Sequence, residues 1–308
     1  TVPGLANALM TQGEFQKVLD ETAATAAGKP ELLTLRGDAS LALGKADDAK
    51  AAYEQALQAN PKFGGALIGM ARHALALNDV AGAKRLADQA STESPNDAAV
   101  WMFKGALLRA EGKNDEALAA FDQALKVKPG HRSANVEKAY IEISTGKFDA
   151  AQADITAAQK AAPNSIMVLY AQALLDHSQG KHAAAKESLQ KVLRAAPEHM
   201  PSVLLAGAVE NALGSLAQAE QYLKQYVVNV PGNAYARKLL VANLIKQGSV
   251  TEAQAALAPL MAGSGSDAHT LALAGELAGT GLQVSCAITS SVPPRSRRTR
   301  RRCAPRWR

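Results

Sequence analysis

The residues best suited to chemistry gather once, at Asp176, His177 and His182. Two imidazoles and a carboxylate can form part of a metal site or an acid–base pair. Gly180-Lys181 stands between the two histidines, however, and reads as a turn between helices, so the rings need not converge. A solvated inter-helix turn is the better reading. Elsewhere there is no phosphate-binding glycine loop, no nucleophile elbow and no Cys/His set at zinc spacing. The expectation is a chain with no catalytic activity of its own, no cofactor, no metal and no small-molecule substrate.

The elements that must position any working residue are set out by a repeat. Pro61, Pro95, Pro129, Pro163, Pro197 and Pro231 follow one another at intervals of 34 residues. A period of that length implies stacked supersecondary units. With the proline at position 32, position 20 is always alanine: Ala49, Ala83, Ala117, Ala151, Ala185, Ala219 and Ala253. Position 15 reads Gly44, Asn78, Gly112, Gly146, Gly180, Gly214 and Gly248, residues that accept the left-handed conformation ending a helix. Position 8 is Gly37, Ala71, Gly105, Ala139, Ala173 and Gly207, with Val241 departing; position 24 is Tyr53, Phe121, Ile155, Leu189, Leu223 and Leu257, with Ala87 departing.

Antiparallel helices cross closely only where side chains are small, so position 8 is expected to face position 20. Large residues at 4 and 24, fullest in Trp101 and Phe121, are expected to fill the space beside that crossing. Proline at 32 stops the second helix. The chain thus divides into a partial unit at 1–29, then 30–63, 64–97, 98–131, 132–165, 166–199, 200–233 and 234–267, an incomplete eighth unit at 268–288, and an irregular basic tail at 289–308. Asn96-Asp97 reads as a helix cap, Ser249-Val250-Thr251-Glu252 as a capping box, and Gly263-Ser264-Gly265-Ser266 as a flexible join. The eighth unit lacks its second helix, so its first helix, 268–280, is expected to fray or to pair with another copy.

The net charge of +6 comes from the tail. Residues 295–308 hold eight of the 34 basic residues and no acid, leaving 26 basic against 28 acidic and a net of −2. After Ile288 the helical period is gone. Read one base out of register, GC-rich codons for Ile288–Ser296 encode an aromatic, acidic and alanine-rich stretch suited to a second helix, so the tail looks frameshifted. Its rival is a basic arm for nucleic acid or acidic lipid, and nucleic acid enters as a partner only that way. Both cysteines, Cys286 and Cys303, sit near this end, and the body suits either redox compartment. No run reaches the roughly 20 apolar residues of a membrane span. The chain opens on Thr1 without a start methionine or signal peptide, as a fragment or processed form would.

Small residues at 8, alanine at 20, large apolar residues at 24 and proline at 32 make the chain resemble the tetratricopeptide repeat (TPR) family. The resemblance implies an all-α, right-handed superhelical solenoid of antiparallel helix pairs that serves as a scaffold for protein or peptide partners. It also implies a concave groove lined by positions 2, 5, 9 and 12 of the first helices. In units three to five these include Met102, Arg109, Val136, Tyr140, Ile143, Met167, Tyr170, Leu174 and His177. That surface is apolar and aromatic, without the Lys/Asn set that grips a C-terminal carboxylate, and suits a helix or extended peptide. Val136, Ile143 and Leu174 could equally pack between helices.

Three segments, LLAGAVENALGSLAQAEQYL (204–223), APLMAGSGSDAHTLALAGE (258–276) and LRGDASLALGKADDAKAAYEQAL (35–57), further resemble the TPR lipoprotein of exosortase/PEP-CTERM systems. That resemblance implies a Gram-negative envelope scaffold for surface-protein sorting or exopolysaccharide export, periplasmic or outer-membrane-associated, with the cytoplasm not excluded. Its membrane contact would be a lipid anchor whose cysteine is absent from this chain. The alternative is the TPR arm of a larger enzyme, such as a glycosyltransferase, whose catalytic domain is missing.

Overall fold

The computed structural model describes residues 2–262 and 267–290, without the side chains of 280–290. The glycine–serine join and the tail from 291 lie outside the described residues. A short first pair, α1 (Val2–Thr11) and α2 (Phe15–Thr22), precedes the regular units. Helices α3 (Pro30–Ala42), α5 (Gly64–Ala76), α7 (Ala98–Ala110), α9 (Arg132–Ser144), α11 (Ile166–Ser178), α13 (Met200–Ala212), α15 (Ala234–Lys246) and α17 (Ala268–Ser290) begin 34 residues apart. Between them stand α4 (Ala46–Ala59), α6 (Val80–Glu93), α8 (Asn114–Val127), α10 (Phe148–Ala161), α12 (His182–Ala195), α14 (Leu216–Asn229) and α16 (Val250–Met261). The described residues contain no strand, and the fold is an all-α repeat solenoid.

The repeat chemistry sets the boundaries. Helices α4, α6, α8, α10, α12 and α14 each end two residues before a proline, which has no amide proton to continue the ladder. The turns after α3, α7, α9, α13 and α15 use a glycine with φ between 75 and 77° or, at Gly248, 74°. Asn78 fills the same place at φ 60°, alone among the described non-glycine residues in having positive φ.

Two compact units make up the chain, Thr1–Gln179 and Gly180–Arg308. In the first, Ala6, Val18, Leu32, Leu33 and Ala56 gather at one end, and Val136, Ala139, Ile155, Val168 and Leu175 at the other. In the second, Leu223, Leu240, Leu244, Leu257, Leu273 and Leu277 form one cluster and Val203, Tyr226 and Ala236 another.

The small residue at position 8 does more than let two backbones approach. A Cβ on Gly37 would lie 2.3 Å from the Tyr53 ring, one on Gly105 2.5 Å from Phe121, and one on Gly207 2.8 Å from Leu223. Glycine at 8 therefore makes the socket for the large residue at 24 of its own pair. Trp101 takes no comparable place. It is half-buried, donates from its indole to the Pro95 carbonyl at 2.8 Å and lies under the Lys104 ammonium. Phe121 is fully buried beside Ala117, Ile141, Met102, Leu108 and Leu118.

Side-chain caps start several helices. Asp97 accepts from the Ala99 amide at 2.9 Å, Asn233 from Ala236 at 3.0 Å and Asp267 from Thr270 at 3.0 Å. The expected capping box at Ser249 does not form. Its hydroxyl makes no cap bond, and Glu252 reaches the Lys224 ammonium at 2.7 Å, a charge-assisted bond stronger than one to a backbone amide. Helix α17 also runs unbroken to Ser290, past the place where the earlier first helices turn.

His131 caps α9, its Nδ1 accepting from the Ala134 amide at 3.3 Å. Burial, then Lys128 nearby, holds its pKa below the ordinary value. Because the folded state disfavours the imidazolium, this contribution is present at higher pH and is lost as pH falls below about 6.5. Replacing His131 by Asp, a stronger acceptor, is expected to remove that loss and to raise stability at pH 5.5 by about 1 kcal/mol in urea titrations.

Candidate functional site

Helices α7, α9 and α11 belong to the first unit and are the first helices of consecutive repeats. On α9, Val136, Ala139 and Ile143 form an i, i+3, i+7 stripe. It buries itself with Ala151, Ile155 and Ala158 of α10 and Val168, Ala171 and Leu175 of α11. Tyr140 of α9, and Met167 and Leu174 of α11, lie half-buried on the flank of that cluster. The Tyr140 and Tyr170 rings meet edge to face, 6.2 Å apart at 65°, the arrangement favoured by their quadrupoles. Beside them Arg109 Nε of α7 forms an ion pair with Glu137 Oε2 of α9, 3.0 Å apart. With Arg109 43% exposed, this pair orients side chains more than it stabilises the fold. Burial, then Tyr170 and the Glu137 charge, push the Tyr140 hydroxyl well above the usual phenol range. It stays a neutral donor throughout the physiological range.

Two expected groove residues belong to the core instead. Val136 is 0% and Ile143 7% exposed, because positions 5 and 12 of α9 share a stripe with Ala139, which faces α10. In α7 Met102 is half-buried against the Phe121 cluster, and in α11 Tyr170 and His177 are half-buried. The surface that remains consists of Tyr140, Met167, Tyr170 and Leu174, with Arg109 and Glu137 along its edge. Of the chemistry-bearing cluster, Asp176 is buried and accepts from Gln172 at 3.2 Å, while His182 opens α12. Among the described residues no three His, Cys, Asp or Glu side chains group as metal ligands.

Polar links between neighbouring repeats were not anticipated. Lys104 reaches Asp88 at 2.8 Å and Lys138 reaches Asp122 at 2.9 Å, each a lysine at position 7 bound to an aspartate at position 25 of the preceding unit. One unit on, Gln172 takes the lysine's place and bonds Gln152. The signal was present, since the two Asp–Lys pairs lie one repeat apart, but alignment by small and apolar residues passes over it.

Models of the tetratricopeptide repeat match residues 40–107, and 104–166 with 170–234. No curated protein matches the chain. Among solved structures, that of the APC/C hetero-tetramer Cut9-Hcn1 is similar with a TM-score of 0.71 at 14% identity, over 92% of this chain and 54% of the other. The chain thus spans about half of that relative's length. A tetratricopeptide repeat protein from Parabacteroides merdae gives 0.61 at 14% identity, covering 80% of this chain and 98% of its own. The type IV pilus biogenesis factor PilW gives 0.59 at 23% identity, covering 68% and 98%. Likeness at these identities establishes the fold.

Proposed function

Because the chain belongs to the tetratricopeptide repeat family, we propose that it is a non-catalytic protein–protein interaction scaffold. The face of α9 and α11 takes a helix or an extended peptide. The observation that carries this reading is the half-buried Tyr140–Tyr170 pair flanked by Met167 and Leu174. Aromatic rings offer large contact area and a thioether adaptable packing, and Tyr140, Met167 and Leu174 are already packed on the core. Arg109 and Glu137 give that apolar patch a polar rim.

The setting is the Gram-negative envelope, in exosortase-linked sorting or exopolysaccharide export, periplasmic or attached to the outer membrane. The resemblance of segments 35–57, 204–223 and 258–276 to the lipoprotein of those systems supports this. PilW, a type IV pilus biogenesis factor, has the same fold. A TPR arm of a larger glycosyltransferase is the second reading, and an open frame encoding an α/β domain beyond the tail would favour it.

The test is a pull-down from a Gram-negative envelope extract with the full chain and with Tyr140→Ala/Tyr170→Ala. The wild type is expected to retain an envelope protein that the double variant releases, with affinity lower by about thirtyfold or more. Equal retention by both would move the binding surface off this face.

A further inference from the structure

Position 11 of three consecutive repeats carries an acid that the fold buries: Glu142 (6% exposed), Asp176 (7%) and Glu210 (4%). A buried carboxylate needs a cation or donors to replace water. Glu210 of α13 has Lys186 of α12 at 2.9 Å, and Asp176 accepts from Gln172. Glu142 has neither. The residue that stands to it as Lys186 stands to Glu210, at position 21 of the preceding unit, is Leu118.

What faces Glu142 is mostly acid. Asp154 comes from α10, Asp122 from α8, and among the described residues the cation acting on it is Lys138 of its own helix. Lys138 lies at 2.9 Å from Asp122 Oδ1 and 3.2 Å from Asp154 Oδ2, so it is already engaged by the other two carboxylates. Arg109 of α7 is held by Glu137, and Asp176 of α11 accepts from Gln172 of its own helix. Among the described residues, Glu142 Oε2 and Asp154 Oδ2 are both closed to water and accept no hydrogen bond. One ammonium does not neutralise three carboxylates. Glu142 Oε2 has no donor, and Asp154 Oδ2 has the Lys138 ammonium that it shares with Asp122; a proton between the two carboxylates reconciles them.

We propose that Glu142 and Asp154 share a proton between α9 and α10, and that its loss as pH rises loosens the repeat carrying Tyr140. The first half stands on this cluster alone; the consequence for partner capture rests on the groove reading above. Burial, then the Asp154 charge, push the Glu142 carboxyl up to about 7. An unfolded glutamate titrates near 4.3, as about expected of a model peptide. The fold thus favours the protonated form. Its stability contribution is complete below pH ~4.3 and is lost as pH rises through about 7, by at most about tenfold in the unfolding constant per pH unit. His131 works in the opposite direction, so the comparison must be made against variants.

The experiment is urea unfolding of the full chain from pH 5 to 8.5, for wild type, Glu142→Gln and Leu118→Lys. A glutamine amide can donate to Asp154 in place of the shared proton, and a lysine at 118 restores the cation that Glu210 enjoys. Relative to either variant, the wild-type unfolding constant is expected to rise about ten- to a hundredfold over that range. Carboxyl carbon NMR of the wild type supplies a readout independent of how the variants fold, with Glu142 titrating near pH 7. Parallel pH profiles for wild type and Glu142→Gln, or a Glu142 midpoint near 4.5, would overturn the proposal. Both readouts need no partner, so a failed groove reading leaves them intact.

Discussion

Gly69→Ala is expected to destabilise the first unit by about 2–3 kcal/mol, a large effect for one methyl group. Gly69 lies on α5 at position 6, and a Cβ there would stand 2.2 Å from Cε1 of Tyr53 on α4. The Tyr53 ring is 0% exposed and already closed in by Gly37 of α3 on another side. It cannot swing away cheaply, because its hydroxyl donates to Asp38 at 2.7 Å. Asp38 is in turn held by Arg72 at 3.1 Å, and Arg72 lies over the Phe103 ring. Burial, then the Asp38 charge, keep the phenol protonated and donating.

Tyr53 therefore locks one repeat to the next through a socket that only glycine provides. Tyr53→Leu, by shortening the side chain, should recover part of the Gly69→Ala loss, a coupling that two independent sites would not show. Gly232→Ala is the control: nothing lies within 4 Å of its added methyl and its φ is not positive, so its melting should match wild type within about 0.5 kcal/mol. Thermal unfolding followed by circular dichroism separates the cases. If Gly69→Ala melts with Gly232→Ala, the locked ring is wrong.

That socket shows where sequence periodicity informs and where it stops. Prolines at 32, glycines at 15 and alanines at 20 mark helix ends and crossings because each constrains its own backbone or its nearest partner. Gly69 carries no such mark, since its constraint comes from Tyr53 in the preceding repeat. The groove was legible to the same degree. Tyr140, Met167 and Tyr170 could be placed on the first helices, but positions 5 and 12 of α9 proved to be core because the stripe through Ala139 already faces α10. Glu137 left no trace in the repeat pattern, since its role depends on Arg109 lying opposite it. The acids at position 11 were visible as a 34-residue series; what decides their behaviour is position 21 of the helix before, lysine for Glu210 and leucine for Glu142.

Removing that lysine is expected to have the other large effect. In Lys186→Met, Glu210, with its side chain 5% exposed, loses the ammonium at 2.9 Å and keeps its burial. Breaking a fully buried pair from one side costs about 3–5 kcal/mol; Lys186 is 34% exposed, so about 2–3 kcal/mol is expected in the second unit. Replacing both partners, Lys186→Met/Glu210→Leu, should return most of this, because the penalty lies in the abandoned charge and not in the lost attraction. Lys224→Met tests the same chemistry at the surface. Its partners Glu220 and Glu252 are 21% and 55% exposed, and the loss should stay under about 1 kcal/mol. Urea midpoints at an unchanged slope would carry the comparison. If Lys186→Met and Lys224→Met fell together, burial at position 11 would not be what makes the lysine matter. Leucine at 118 would then need no protonated partner to explain it, so this pair of variants also bears on why Glu142 turns to Asp154.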